Sequence, residues 1–155
     1  MAAIPSRATQ ATVDRLDANP QFATAAVILR TLENGVADIE REIEALRIED
    51  YLPRLPENKR EKRKEFERRL KTLRSTTPRK EILGQTCGMP PVVVMALELL
   101  TEGKRPSRLN RPAAIARLEE DLTVVNDARR EQQRVVDSIR VELNEAQAKK
   151  DRKAH

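Results

Sequence analysis

Cys87 and His155 are the only cysteine and the only histidine among 155 residues, so any thiolate nucleophile or imidazole base would have to come from them. The pair is badly placed. A nucleophilic thiol needs a neighbouring base or cation to ionise it, and His155 is the last residue, where chain ends fray. One cysteine closes no internal disulfide, and without a second Cys or an internal His it anchors no zinc site. Carboxylates are plentiful in Glu40, Glu42 and Glu44 and in Glu119, Glu120 and Asp121, but these fall on the flanks of helical seams, where a solvated face is expected. Gly103-Lys104 ends like a phosphate-binding loop, yet the glycine required five residues earlier is Glu98, and Arg105 follows where Ser or Thr is needed. The expectation is a protein that is not an enzyme and holds no metal or cofactor.

Binding chemistry is better represented. In TPRKEILGQTCGMPPVVVMALELL, Thr77 to Leu100, Gly84, Gly88, Val94 and Leu97 take the spacings of a helix-turn-helix, with Ile82, Leu83 and Met89 to fill its small core. Over about twenty residues the segment resembles that motif. A DNA-reading second helix needs polar or basic side chains near its start, and this one offers Pro90, Pro91, Val92, Val93, Met95 and Ala96. A helix apolar on nearly every side is expected to be buried, either capping the rest of the fold or entering a partner's groove through Val92, Val93 and Met95.

The second binding feature is a run of charge, ENKREKRKEFERRLKTLR from Glu57 to Arg74, a helix whose apolar stripe is Phe66, Leu70 and Leu73. Lys59, Arg60, Arg63, Lys64, Arg68, Arg69, Lys71 and Arg74, with Lys104, Arg105 and Arg108 further on, are the candidates for an acidic partner or nucleic-acid phosphates. Glu57, Glu61, Glu65 and Glu67 are interleaved with them, so a salt-bridged, solvated helix is the competing expectation. A third arrangement lays this helix along the acidic flank of an earlier one, where Glu33, Glu40, Glu42 and Glu49 gather.

Two apolar seams must position these features. Phe22, Ala25, Leu29, Leu32, Val36, Ile39, Ile43 and Leu46 step by threes and fours, and so do Ile115, Leu118, Leu122, Val125, Arg129, Gln132, Val136, Ile139, Leu143 and Ala146. Asn19-Pro20 and Asn110 with Pro112 supply start signals, while Pro53 and Pro56 stop the first helix. Gly35 lies inside the first seam without breaking its phase, which predicts a mild kink or a close approach by another backbone. In an antiparallel pairing with Leu46 opposite Ile115, Leu32 falls beside Arg129, and Glu33 is within reach of its guanidinium. The polar pair Arg129 and Gln132 would then fix register and partner choice, or else mark a stretch where the helix faces solvent.

Composition agrees with rods. Charged residues make up 35% of the chain and aromatics 2%, so burial rests on Leu, Ile, Val and Ala, as in helix seams. Lys and Arg number 5 against 9 acids in residues 1–50, 16 against 7 in residues 51–111, and 9 against 9 in residues 112–155, which puts the net positive charge in the middle. The expected fold is all-α: an elongated antiparallel coiled-coil hairpin with a small helical tip. Residues 1–18 form a flexible N-terminal segment, 19–50 the first helix, 51–111 the basic tip with the hairpin at 77–102, 112–149 the second helix and 150–155 a basic tail. No apolar stretch reaches the roughly 20 residues of a membrane span, so a protein in the cytoplasm or inside a virion or other intracellular assembly is expected, not a secreted one. Its function reads as a non-catalytic adaptor or scaffold, of the kind found in a virion or mobile element, with a protein partner or a second copy of itself. The alternative is a DNA-binding regulatory or architectural protein dimerised by its coiled coil.

Overall fold

The computed structural model describes residue 16 and residues 18–75, 89–102 and 110–153. The elements are α1 (Pro20–Tyr51), a 3-10 turn (Leu52–Arg54), α2 (Arg60–Ser75), α3 (Pro91–Glu102) and α4 (Arg111–Lys153), with no strand among the described residues. Cys87, Gly84, Gly88, Ile82 and Leu83 of the helix-turn-helix-like stretch lie outside the described residues, as do Gly103, Lys104, Arg105, Arg108 and His155, and all of residues 1–18 except Leu16 and Ala18.

Each long helix starts where a cap satisfies backbone groups that have no partner inside the helix. Asn19, extended at φ −80° and ψ 120°, accepts the Phe22 N–H on its side chain at 3.0 Å, and Pro20 follows with no N–H to leave unpaired. Asn110 does the same for α4 by accepting the Ala113 N–H at 3.2 Å. α1 ends in the 3-10 turn, and Leu55, placed before Pro56, takes the extended conformation that a following proline favours (φ −69°, ψ 130°).

α1 and α4 pack antiparallel through three apolar clusters in sequence along the stem. Phe22, Ala25 and Leu29 meet Val136 and Ile139 at one end, Ile28 and Leu32 meet Val125 and Ala128 in the middle, and Ile43 and Leu46 meet Ala114 and Leu118 at the other end. This is the register that puts Leu46 beside Ile115. Leu32, Leu46 and Val125 are almost fully buried, and burying each such side chain is worth roughly 1.5–3 kcal/mol. The seam closes at Leu143; Ala146 beyond it is exposed.

The two shorter helices occupy different stations on this stem. α2 folds back against the far end of α1, its Leu73 buried with Ala45 and Ile48, and Phe66, Leu70 and Leu52 packed around them. α3 does not cap the stem: it lies against its middle, with Val93, Ala96 and Leu97 buried against Ile28, Leu32, Val125 and Ala128. Small residues explain the station. A Cβ built on Gly35 would stand 2.6 and 2.7 Å from the two δ carbons of Leu100, so the bare backbone of α1 forms a socket for that side chain. What approaches Gly35 is a side chain of α3, not the backbone that the sequence led one to expect.

Candidate functional site

Polar groups inside the stem come first. Gln132 is 2% exposed, and its Nε2 donates to the backbone carbonyl of Ala25 on the facing helix at 3.0 Å, while its Oε1 is buried without a hydrogen-bond partner. One amide hydrogen bond across the seam ties α4 to one level of α1, the role a polar seam residue plays in fixing register. Arg129 does otherwise. It is half-buried, and its Nε donates to Asn126 Oδ1 of its own helix at 3.4 Å; among the described residues it makes no ion pair with Glu33.

The remaining seam residues are placed as follows. Leu29, Leu32, Ile43, Leu46, Leu118, Val125, Val136 and Ile139 are buried, and Val36, Ile39, Ile115, Leu122 and Leu143 are partly buried around them. On α3, Val93 is fully buried in the chain's own core, Val92 packs beside it, and Met95 points outward at 52% exposure. Ile28, Ala45 and Ile48 were not among the expected contacts, although they carry α3 and α2. Their signal was an apolar stripe on α1 wider than the two positions per seven that a simple coiled coil needs.

The basic helix divides into two faces. On the inner face, Arg69 grips Glu44 with two parallel hydrogen bonds, Nε to Oε1 at 2.8 Å and Nη2 to Oε2 at 2.9 Å. One turn on, Arg74 reaches Glu42 at 2.5 Å and Glu49 at 2.8 Å, and Glu49 lies 3.7 Å from Arg111 Nε of α4. Arg63 Nη2 donates to the Leu55 carbonyl at 3.1 Å, fastening the start of α2 to the turn before it. The acidic flank of α1 is therefore answered by α2, through Glu42, Glu44 and Glu49; Glu33 and Glu40 are exposed elsewhere.

Electrostatics follow from these contacts. The Arg69 hydrogen bonds hold the Glu44 carboxyl below its ordinary range against a smaller opposing effect of burial, and the same pair raises Arg69. Burial works against the charge of Arg74 but is outweighed by Glu49 and Glu42, which leave its pKa raised. Burial also raises Asp121 on the flank of α4, partly countered by Arg117.

On the outer face, Arg60, Lys64, Arg68 and Lys71 are exposed in one line, at steps of four, four and three, with Glu61 and Glu67 beside them. Lys64, Arg68, Lys71, Glu61 and Glu67 line one shallow depression of about 450 Å³. Among the described residues none of these four cations has an ion-pair partner; Arg68 Nε donates to the Lys64 carbonyl at 3.3 Å. Lys59 is also exposed, and its backbone N–H closes the turn onto the Pro56 carbonyl at 3.0 Å.

Between α1 and α2 runs an open groove of about 680 Å³, lined by Ile48, Tyr51 and Phe66 and edged by Glu44, Arg47, Glu65 and Arg69. Tyr51 and Phe66 meet edge to face at 5.3 Å. Glu44, gripped by Arg69 and held ionised, is unsuited to store a proton for acid catalysis. Among the described residues no group of three or more His, Cys, Asp and Glu is placed to hold a metal ion, and no helix is long and apolar enough to cross a membrane. Comparison with protein-family models, with curated proteins and with solved structures found no match to the chain.

Proposed function

We propose that the chain is a non-catalytic helical adaptor: a stiff two-helix stem that carries a cationic helix face to an acidic partner within a larger assembly. One observation supports this above the rest. Of the basic residues on α2, the inner pair Arg69 and Arg74 is met by carboxylates of α1, whereas Arg60, Lys64, Arg68 and Lys71 are exposed and without ion pairs among the described residues. Exposed charge keeps a helix hydrated, and lined up on one face it also offers an anion a binding surface. Protein contacts through the apolar helices are narrower than the sequence suggested, because the seam and the inner stripe of α3 are already covered. Among the described residues the large apolar side chains left exposed are Met95 on α3, Tyr51 at the α1–α2 groove and Val141 on α4. An intracellular setting, such as a virion or mobile-element assembly, belongs to the same proposal and rests on composition alone.

Of the alternative, a DNA-binding regulatory or architectural protein with a helix-turn-helix-like segment, the base-reading form is weakened by α3. Its inner stripe is packed on the stem, and its exposed residues are Pro91, Met95, Glu98, Thr101 and Glu102: two carboxylates that repel phosphate, and one hydroxyl that already donates to the Leu97 carbonyl at 2.6 Å. The adaptor reading is tested by retention on heparin and on immobilised polyglutamate at low salt, for the wild type and for K64Q/R68Q/K71Q. Retention of the wild type on at least one, lost in the triple variant, is the expected result; no retention on either matrix removes the reading.

A further inference from the structure

We infer that the acidic partner of the outer face of α2 is the phosphate backbone of a nucleic-acid duplex, bound without sequence readout; this rests on the adaptor reading above and names its ligand. The first argument is what the face lacks. Residues 60, 61, 64, 67, 68, 71 and 75 are Arg, Glu, Lys, Glu, Arg, Lys and Ser, all exposed, with no apolar side chain among them. Protein interfaces draw their affinity from a desolvated apolar or aromatic centre and are depleted in Lys and Glu, so a protein partner would find nothing here to bury. A polyanion needs no such centre, because displacing condensed counterions from its phosphates is the driving force.

The second argument is geometry. Steps of four residues on a helix advance about 6 Å, so Arg60, Lys64, Arg68 and Lys71 form a straight row about 16 Å long. Each strand of a duplex carries one phosphate charge per roughly 3.4 Å of axis, which gives such a row a few phosphates within reach along one groove edge. A row on a single straight helix suits a linear array of like charges better than one compact anion, which would be clasped by converging groups.

The third argument is that the row is held out rigidly. Phe66, Leu70 and Leu73 fix one side of α2 on α1, and Arg69 and Arg74 lock its rotation through Glu44, Glu42 and Glu49. The outer side chains therefore face away from the stem whatever they meet. Exposed aromatics, which a single-strand platform needs for stacking, are absent from this face; Tyr51 lies in the groove on the other side of the helix.

The experiment uses the full chain and three probes in parallel: a labelled mixed-sequence DNA duplex, a labelled polyglutamate peptide, and vesicles containing phosphatidylserine. Binding of the duplex should weaken with salt at a slope of about −3 in log K against log salt, about 40-fold between 50 and 200 mM, if three phosphates are neutralised. K64Q/R68Q/K71Q should lose at least tenfold in affinity and flatten that slope while keeping the wild-type circular dichroism. E61Q/E67Q, which strips the two carboxylates from the same face, should tighten binding. Changing the duplex sequence should leave the affinity unaltered within a factor of two or three. Binding of polyglutamate or vesicles with no measurable binding of duplex overturns this inference and leaves the adaptor reading standing. Duplex binding that ignores all three α2 substitutions also overturns it, and failure to bind any of the three probes removes both.

Discussion

Arg74 is the side chain on which the division of α2 into a locked face and a presented face turns, and its replacement by Gln puts a number on that division. Its Nη1 reaches Glu42 at 2.5 Å, and its Nε and Nη2 reach Glu49 at 3.2 and 2.8 Å, with side-chain exposures of 23% for Arg74, 22% for Glu42 and 17% for Glu49. Removing one partner from a fully buried ion pair costs about 3–5 kcal/mol, whereas an exposed pair is worth about 0–1 kcal/mol. With roughly a fifth of each side chain in water, the loss falls between these limits, at about 2 kcal/mol. Gln keeps a donor for one carboxylate but leaves Glu42 and Glu49 as like charges on the same face of α1, with Arg111 the remaining cation at 3.7 Å from Glu49. For a domain of this size the loss corresponds to a fall in melting temperature of about 4–8 °C. K64Q, R68Q and K71Q, on the outer face, should each stay within about 0.5 kcal/mol of wild type. Urea denaturation followed by far-UV circular dichroism measures all four, and E49Q alongside E49Q/R74Q closes the cycle: Arg74 should matter less once Glu49 is neutral. Equal losses for R74Q and R68Q, or none for either, would refute the two-face account.

Three further outcomes follow from single contacts. Gln132→Leu removes a buried oxygen without a partner together with one cross-seam hydrogen bond, so the stem should gain about 1 kcal/mol, whereas Gln132→Ala leaves a void and should lose about 1–3 kcal/mol; denaturation midpoints decide, and a large loss for Leu would mean the amide bond dominates. Gly35→Ala in an L100A background should stabilise by about 1 kcal/mol, the helix-propensity gain, and should do so less in the wild type, where its Cβ meets the δ carbons of Leu100; equal effects in both backgrounds would show that α3 is not seated there. Because Glu44 is held below its unfolded value by Arg69, its contribution is complete above the pKa of a free glutamate and is lost as pH falls through the lowered folded value. Midpoints measured down the acid range should therefore fall less steeply for E44Q than for wild type, and parallel curves would contradict the pairing.

The all-α hairpin was legible because its determinants are local. A three-four spacing of Leu, Ile and Val repeated from Phe22 to Leu46 and again from Ile115 to Leu143 can bury its stripe only against another helix, and Asn19, Asn110, Pro53 and Pro56 mark the ends whatever the rest of the chain does. The level of pairing entered only as one case, Leu46 opposite Ile115; the packing of Leu46 with Ala114 and Leu118 agrees with it, while the Glu33–Arg129 pair drawn from it did not form. The polar rungs were less legible. Gln132 and Arg129 are three residues apart with similar reach, yet one amide turned inward to the Ala25 carbonyl and the guanidinium stayed with Asn126, because burying a charge in the seam costs far more than burying an amide.

The tertiary structure alone decided where α2 and α3 sit, and with that which cations are available. Sequence order puts both between the long helices and says nothing of whether they cap the stem or lie along it. The answer came from residues on the back of α1: Ala45 and Ile48 receive α2, Ile28 and Gly35 receive α3, and Glu42, Glu44 and Glu49 choose Arg74 and Arg69 out of a run, Glu57 to Arg74, in which half of the residues are basic. Charge in a sequence has no direction. It gains one only when packing fixes the rotation of the helix that carries it, turning Arg69 and Arg74 to the stem and Lys64, Arg68 and Lys71 to the solvent.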